Sequence, residues 1–175
     1  MQVDNLVLQR HVGQRRFQFT ARELSRWDVI EAHTSAGSAS AATFPDILKR
    51  ECPIPIKAIQ VDCSSEFHAR FEEVCERRGI KIFVLPTRSP KLNGNIERAN
   101  RTHREEYYEL TDIRVPITEH IDDLKYWHDI YNTVRTNQSL NYTTPLEELE
   151  SYGIVLAPPL ALKSRCSERV QNIDY

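Results

Sequence analysis

The sequence predicts an α/β fold in which helices flank a mixed five-stranded sheet. Three strand-like segments lie close together at the start of the chain, which favours an antiparallel meander. Helical and strand-like segments then alternate, a pattern typical of strands that join the same sheet in parallel. The predicted order is β-β-β-α-β-α-β-α-α, and 175 residues suit one domain.

The first three strands are predicted at residues 2–8, 15–21 and 27–33. In the second of these, Phe17, Phe19 and Ala21 alternate with polar neighbours, which is the period of a strand with one buried face. Residues 11–14 have the composition of a turn, so the first two strands should form a hairpin.

The middle of the chain is predicted to contain a helix at 39–50, a strand at 56–62, a helix at 66–78 and a strand at 80–85. Pro45 falls near the start of the first helix, where a missing backbone N–H is tolerated. The second helix has one apolar stripe, formed by Phe67, Phe71, Val74 and Cys75. Gly79 stands where a helix C-cap is expected.

The second half is predicted to be mainly helical, with an exposed loop at 87–94 and helices at 95–110 and 118–135. Thr144 to Glu147 form a capping-box sequence with proline at the first helical position, which should open a short helix ending near residue 152. We expect residues 1–153 to form the folded core and residues 154–175 a C-terminal tail.

The composition excludes several classes of protein. No apolar run is long enough to span a membrane, and the N-terminus has no secretory signal pattern, so we expect a cytoplasmic protein. The four cysteines, Cys52, Cys63, Cys75 and Cys166, form no CxxC pair and have no zinc-finger spacing. We expect them to be reduced thiols, and none of the six histidines belongs to a ligand set.

Positive charge is concentrated in one segment although the net charge of the chain is -2. Residues 77–104 hold a single acid, Glu97, and eight basic residues: Arg77, Arg78, Lys81, Arg88, Lys91, Arg98, Arg101 and Arg104. On a helix, Glu97, Arg101, Arg104 and Tyr108 would share one narrow face. A basic stretch on an acidic body is typical of a phosphate-binding surface, although it can also be an ordinary solvated face.

Three isolated acids are candidates for metal ligands. Asp4 lies inside the first predicted strand and Asp62 closes the fourth, where a carboxylate is costly to bury without compensation. Glu97 lies near the start of a predicted helix and leads the basic residues. Carboxylate oxygens suit Mg²⁺ or Mn²⁺. Taken singly, each acid could instead be a solvated or ion-paired side chain.

Three sequence blocks resemble the signature blocks of retroviral-type integrase cores and bacterial insertion-sequence transposases, the DDE family. They are MQVD, QVDCSSEF and SPKLNGNIERANRT, of which the third is the most specific. The segment YNTVRTNQSLNYTTPLEEL resembles the one that follows the core in bacterial members. The resemblance covers residues 2–150 and implies an RNase H-like fold.

The resemblance implies that Asp4, Asp62 and Glu97 are the catalytic triad and hold two Mg²⁺ or Mn²⁺ ions. It also implies metal-dependent cleavage and strand transfer of DNA, with transposon ends and target DNA as partners and a homo-oligomer as the active form. Arg104 matches the family's basic residue near the cut site. The other expected DNA contacts are Arg88, Lys91, Asn93, Arg98 and Arg101.

Two departures from the family pattern keep alternatives open. Cys63-Ser64 replaces the usual Asn-Gly after the second acid, which could alter that turn because serine lacks the backbone freedom of glycine. The family's upstream DNA-binding module has no counterpart before Asp4, as in a truncated frame, an excised fragment or half of a split transposase. The alternatives are a catalytically inactive remnant, an RNase H-like nuclease that does not join strands, and a non-enzymatic nucleic-acid-binding domain.

Overall fold

One mixed sheet of five strands organises the chain. The computed structural model describes residues 1–9, 15–86, 90–111 and 115–156. The strands are β1 (Gln2–Gln9), β2 (Arg15–Arg22), β3 (Asp28–His33), β4 (Ala58–Val61) and β5 (Lys81–Val84). They lie in the order β3-β2-β1-β4-β5, antiparallel from β1 to β3 and parallel from β1 through β4 to β5. The predicted meander and the predicted mixed sheet are both confirmed.

Helices cover both faces of this sheet. They are α1 (Ser38–Ala41), α2 (Phe44–Glu51), α3 (Arg70–Arg77), α4 (Pro90–His103), α5 (Ile117–Thr133) and α6 (Pro145–Ser151). Short 3₁₀ turns occur at Ser65–Phe67 and Gln138–Leu140, and a π-helical turn, Arg104–Tyr108, continues α4. Among the described residues, no helix has both the length and the apolar character that a membrane span needs.

Two helices that the sequence predicted as continuous are each interrupted. The helix predicted at 39–50 is divided into α1 and α2, because Pro45 has no N–H with which to continue the hydrogen-bond ladder of α1. The helix predicted at 66–78 becomes a 3₁₀ turn followed by α3, because Ala69 has a φ of 51° in the left-handed region. Gly79, at φ 70°, follows α3 as predicted.

The start and end of α4 also differ from the prediction, since the α-helix ends at His103 and the π-helical turn follows it. The helix begins at Pro90 rather than at residue 95, so only residues 87–89 of the predicted loop remain, and these lie outside the described part of the chain. Proline is well suited to a first helical turn because its missing N–H would be unpaired there.

The predicted capping box is confirmed: Thr144 Oγ1 accepts from the Glu147 N–H at 3.1 Å, and the Glu147 carboxylate accepts from the Thr144 N–H at 2.7 Å.

Each face of the sheet packs against its own apolar core. On one face, Val3, Phe19, Phe44 and Phe71 belong to a core that includes residues of α1, α2 and α3. On the other face, Leu6, Leu8 and Ile30 pack against Tyr107, Tyr108 and Leu124. The even-numbered residues of β1 therefore face α4 and α5, because side chains alternate along a strand.

A buried polar cluster joins β2 and β3 to the helices on the second face. Asp28 is fully buried and accepts from Arg22 Nε at 2.6 Å and Nη2 at 2.5 Å. His103 Nε2 lies 3.0 Å from Asp28 Oδ2, and the Asn132 side chain bonds both the N–H and the carbonyl of Asp28. Burial alone would raise the pKa of Asp28, but the charge and hydrogen bonds of Arg22 hold it below its usual range.

Candidate active site

Two acids stand at the junction of β1 and β4. Gln2 of β1 pairs with Gln60 of β4 in the parallel ladder, and Asp4 and Asp62 each follow two residues later. Both carboxylates therefore leave the sheet on the face that α4 covers. The strand order changes direction at this junction, since β2 and β3 extend the sheet on one side and β5 on the other. Open α/β sheets bind ligands at such a position.

The Asp4 carboxylate is half-buried and accepts two hydrogen bonds. The Asn5 N–H donates to Oδ1 at 2.8 Å, and Asn100 Nδ2 donates to Oδ2 at 3.0 Å. Its pKa is nevertheless raised to about 6, first by burial and then by the negative charges of Asp62 and Glu97, against the lowering effect of the two hydrogen bonds. The two other acids are thus close enough to repel Asp4.

Asp62 is held by the turn that follows it. The Ser64 N–H donates to Oδ1 at 3.0 Å and the Ser64 hydroxyl donates to Oδ2 at 2.7 Å. Ser64 has φ −69° and ψ 140°, a conformation open to any residue, so this turn does not need the glycine of the family pattern. Cys63 points elsewhere, with Sγ 3.0 Å from the Leu85 carbonyl oxygen. Serine at position 64 therefore orients the carboxylate rather than disrupting it.

Glu97 lies on α4 with its side chain exposed. Its neighbours Ile96, Ala99 and Asn100 are buried, so this helix is fixed on the sheet while Glu97 stands at its edge. Across the described residues, no three side chains of Asp, Glu, His or Cys are close enough to bind one ion together. The three acids are therefore electrostatic neighbours beside the first half of α4.

The first turns of α4 are attached to the sheet by two glutamines. Gln2 Nε2 and Gln60 Nε2 both donate to the Leu92 carbonyl oxygen, at 2.6 Å and 2.8 Å. Gln2 Oε1 also accepts from the Ile96 N–H at 3.0 Å. In an α-helix the Leu92 carbonyl and the Ile96 N–H would pair with each other, so the Gln2 amide bridges two groups of the helix ladder. This attachment determines where Glu97 lies.

The sequence analysis did not identify these glutamines or Asn100. A signal was available for the glutamines, because each precedes its acid by two residues and so shares its face of the sheet. Asn100 had the weaker signal of a polar residue on the apolar side of a helix, three residues after Glu97.

The predicted DNA-contacting residues are divided between two sides of α4. Arg101 and Arg104 are exposed, and Arg104 follows Glu97 at seven-residue spacing, on the same side. Arg98 lies about 100° from Glu97 around the helix axis, on the side that faces Arg26. Asn93 is half-buried in the second turn of α4. The Lys91 side chain and all of Arg88 lie outside the described part of the chain.

Tyr108 does not share the exposed face of Glu97, as its spacing predicted. It is 2% exposed, and its hydroxyl donates to Gln18 Oε1 at 2.5 Å. The π-helical turn at Arg104–Tyr108 is the reason, because a wider turn changes the angular position of every residue after Arg104. Tyr108 is therefore part of the second core and not of the basic surface.

Comparison with known proteins agrees with this architecture. Residues 78–145 match the family described as "Integrase core domain". The catalytic core domain of BIV integrase superposes with a TM-score of 0.65 at 20% identity, over 87% of this chain and 94% of that one. The HTLV-2 integrase catalytic core domain in complex with magnesium, in a trimeric form, gives 0.62 at 16% identity, over 83% and 92%.

A chain of the simian T-cell lymphotropic virus intasome, in complex with PP2A regulatory subunit B56 gamma, gives a TM-score of 0.67 at 14% identity, over 91% of this chain and 54% of that one. No curated protein matches the chain at a significant level.

The mixed five-stranded sheet with helices on both faces is the RNase H-like fold that integrase catalytic cores have. The family match over α4, α5 and the following turn includes Glu97 and the arginines after it. The resemblance to DDE transposase and integrase catalytic cores, first seen in three short sequence blocks, is confirmed.

Proposed function

We propose that this chain is the catalytic domain of a DNA transposase or integrase that cleaves and joins phosphodiester bonds with the help of divalent metal ions. One observation carries the proposal: Asp4 and Asp62 follow paired residues of two adjacent strands, and Asn100 of α4, three residues after Glu97, bonds Asp4. The charges of Asp62 and Glu97 help burial to raise the pKa of Asp4 to about 6. Carboxylates that repel one another across a sheet junction are the environment that a hard cation stabilises.

The donor set fits Mg²⁺ or Mn²⁺, since it consists of carboxylate oxygens without thiolate or imidazole. Asp4, Asp62 and Glu97 would hold the ions, and we expect two of them. When bound, such ions activate a water or a DNA 3′-hydroxyl and stabilise the leaving oxygen of an in-line displacement. The HTLV-2 relative, whose core is described in complex with magnesium, supports this choice of metal.

The chain's own residues would position these ligands and the DNA. Asn100 and the Asn5 N–H orient Asp4, and Ser64 orients Asp62. Gln2 and Gln60 set the position of α4 and hence of Glu97. The exposed guanidinium groups of Arg101 and Arg104 would bind backbone phosphates beside the acids, with contributions from Arg88, Lys91 and Asn93. Two DNA ends require two active sites, so the active form would be a homo-oligomer.

A strand-joining assay on branched DNA with Mn²⁺ tests this proposal, because such a substrate makes few demands on end recognition. We expect joined product from the wild type and none from Asp62→Asn, which keeps an oxygen to accept the Ser64 N–H. Asp122→Asn is the matched control, since it neutralises an exposed acid of α5. Equal activity in wild type and Asp62→Asn would reject the assignment.

The same assay separates the alternative functions. Hydrolysis without joining would indicate an RNase H-like nuclease. DNA binding without any metal-dependent cleavage, and without a change in melting temperature on Mg²⁺ or Mn²⁺ addition, would indicate an inactive remnant or a binding domain.

A further inference from the structure

A groove lined by arginines runs along the side of α4 next to the one that carries Glu97. Two adjoining cavities of about 750 Å³ and 530 Å³ form this arginine groove and share three lining residues, Arg22, Arg26 and Arg98. Arg135 lines only the second cavity. The lining residues of α4 recur at the spacing of one helix face, and Glu97 is not among them. Gln2 and Gln60 also line the first cavity, so the groove adjoins the carboxylate site, but Asp4, Asp62 and Glu97 line neither cavity.

The arginine groove has positive charge that the described residues do not neutralise. No Asp or Glu is among the described residues that line either cavity, although the chain has 25 acidic residues. Arg22 is paired with Asp28, and Arg135 with Glu106 at 2.5 Å. Arg26 and Arg98 form no ion pair within the described ranges; Arg26 Nε bonds only the Ser139 hydroxyl, at 3.1 Å.

These arginines also repel one another. The pKa of Arg26 is lowered, first by burial and then by the positive charges of Arg22 and Arg98. Like charges in a partly desolvated cleft destabilise the protein unless an anion binds between them. A guanidinium group presents a planar set of donors that suits a phosphate.

Each cavity also carries one exposed aromatic ring. Phe83 of β5 is 60% exposed and lines the first cavity. Tyr142 is 68% exposed and lines the second. Exposed rings beside a cationic groove can stack with unpaired bases, a combination that sequence-independent single-strand binding uses.

We propose that the arginine groove binds a single-stranded segment of nucleic acid, with Arg26 and Arg98 on the phosphates and Phe83 and Tyr142 stacked on bases. Arg98 is among the DNA contacts that the resemblance implies, but the groove needs neither the acids nor a metal ion. The inference therefore goes beyond the proposed function and is tested separately from it. Unpaired bases are required because duplex bases are not available to stack on a side chain.

Binding of a fluorescent oligothymidylate of about 12 nucleotides, followed by anisotropy in EDTA over a range of salt concentrations, tests the groove. For single strands, the slope of log binding constant against log salt concentration falls in magnitude by about 0.7 for each phosphate contact removed. We expect Arg26→Gln and Arg98→Gln each to lower the slope by about that amount and to weaken binding at least about threefold. Arg77→Gln is the matched control, because Arg77 is exposed at the end of α3, away from the groove.

Photocrosslinking locates the strand independently of affinity and of any effect on folding. Tyr142 and Tyr152 are 68% and 69% exposed, and only Tyr142 lines the groove. We expect Tyr142→p-benzoylphenylalanine to crosslink the oligothymidylate and Tyr152→p-benzoylphenylalanine not to. A crosslink of equal yield at both positions would overturn the proposal, as would Arg26→Gln and Arg98→Gln variants that bind like Arg77→Gln.

A competition experiment with unlabelled ligands identifies the class of ligand that the groove binds. Unlabelled single strands should displace the probe at lower concentrations than a duplex of the same length or an acidic peptide, and the reverse order would overturn the proposal. Asp62→Asn should bind the probe like wild type. If wild type binds the probe but does not join strands, the proposed function fails and the groove proposal stands. If wild type joins strands but does not bind the probe through the groove, the groove proposal fails and the proposed function stands.

Discussion

Neutralising Asp4 should stabilise the metal-free protein, although Asp4 is proposed to be essential for activity. Its pKa rises from 3.8 to about 6 on folding, so the ionised form is disfavoured in the folded state. A difference of about two units corresponds to about 3 kcal/mol at pH values well above 6. Because Asp4 is only half-buried and asparagine also carries a desolvation cost, we expect Asp4→Asn to raise the free energy of unfolding by about 1–3 kcal/mol at pH 7.5.

The hydrogen bonds of Asp4 can survive this substitution. Asparagine Oδ1 can still accept from the Asn5 N–H, and Asn100 Oδ1, which is buried without a partner, can accept from the new amide if the Asn100 amide rotates. The gain therefore comes from removing a charge and not from a new contact.

The stabilisation by Asp4→Asn should depend on pH, because only the ionised form of Asp4 is disfavoured by folding. The neutral form of Asp4 prevails in both states below pH 3.8, so its burial carries no ionisation cost there. That cost grows as the pH rises from 3.8 to about 6 and is complete above it. About half of the stabilisation by Asp4→Asn should be present at pH 5 and all of it at pH 7.5.

Thermal unfolding in EDTA at pH 5 and pH 7.5 measures this effect, and for a domain of this size 1–3 kcal/mol corresponds to about 2–10 °C in Tm. Asp122→Asn serves as the control for loss of an exposed charge. Addition of Mg²⁺ should raise the Tm of the wild type and not of Asp4→Asn. A lower Tm for Asp4→Asn at pH 7.5, or a difference that does not change with pH, would refute the electrostatic reasoning.

Four further substitutions have expected outcomes. Asp28→Asn leaves the buried guanidinium of Arg22 without its acid and should cost about 3–5 kcal/mol in urea unfolding. Gln2→Ala removes the bridge across the first turns of α4 and should cost about 1 kcal/mol in the same measurement. Arg104→Ala should weaken duplex DNA binding for all sequences and lower the salt slope by about 1 in fluorescence anisotropy. Thr144→Ala removes half of the capping box and should lower stability by about 1 kcal/mol in thermal unfolding.

Each of these expectations has a result that would contradict it. An Asp28→Asn variant as stable as the wild type would mean that the buried pair is not needed for the fold. An unchanged salt slope for Arg104→Ala would count against a phosphate contact. Gln2→Ala or Thr144→Ala variants that unfold like the wild type would show that these hydrogen bonds are replaced by water.

The order of strands and helices along the chain, the antiparallel meander and the mixed sheet could be predicted from the sequence because their signals are local. Asp4 and Asp62 stand out as acids next to strand-forming residues, and Thr144 to Glu147 form a recognisable capping box. The helix interruptions at Pro45 and Ala69 were not predicted, because one depends on where α1 ends and the other on a positive φ at an alanine, which residue patterns do not indicate.

Other parts of the site depend on geometry that residue spacing does not contain. The burial of Tyr108 follows from a π-helical turn, which no pattern at 100° per residue can indicate. Arg26 lies 72 residues before Arg98, and only the folded chain brings the two side chains to one groove. The Gln2 bridge likewise joins residues 94 positions apart, Gln2 and Ile96.

The Gln2 bridge has a mechanical consequence for the segment that leads into α4. Since the Leu92 carbonyl and the Ile96 N–H are each satisfied by a side chain of β1, the turn before Ile96 can rearrange without leaving these two groups unpaired. The remainder of α4 stays anchored through Ile96, Ala99 and Asn100. Under the proposed function, Glu97 would thus remain fixed while the turn immediately before it adapts to a bound DNA strand.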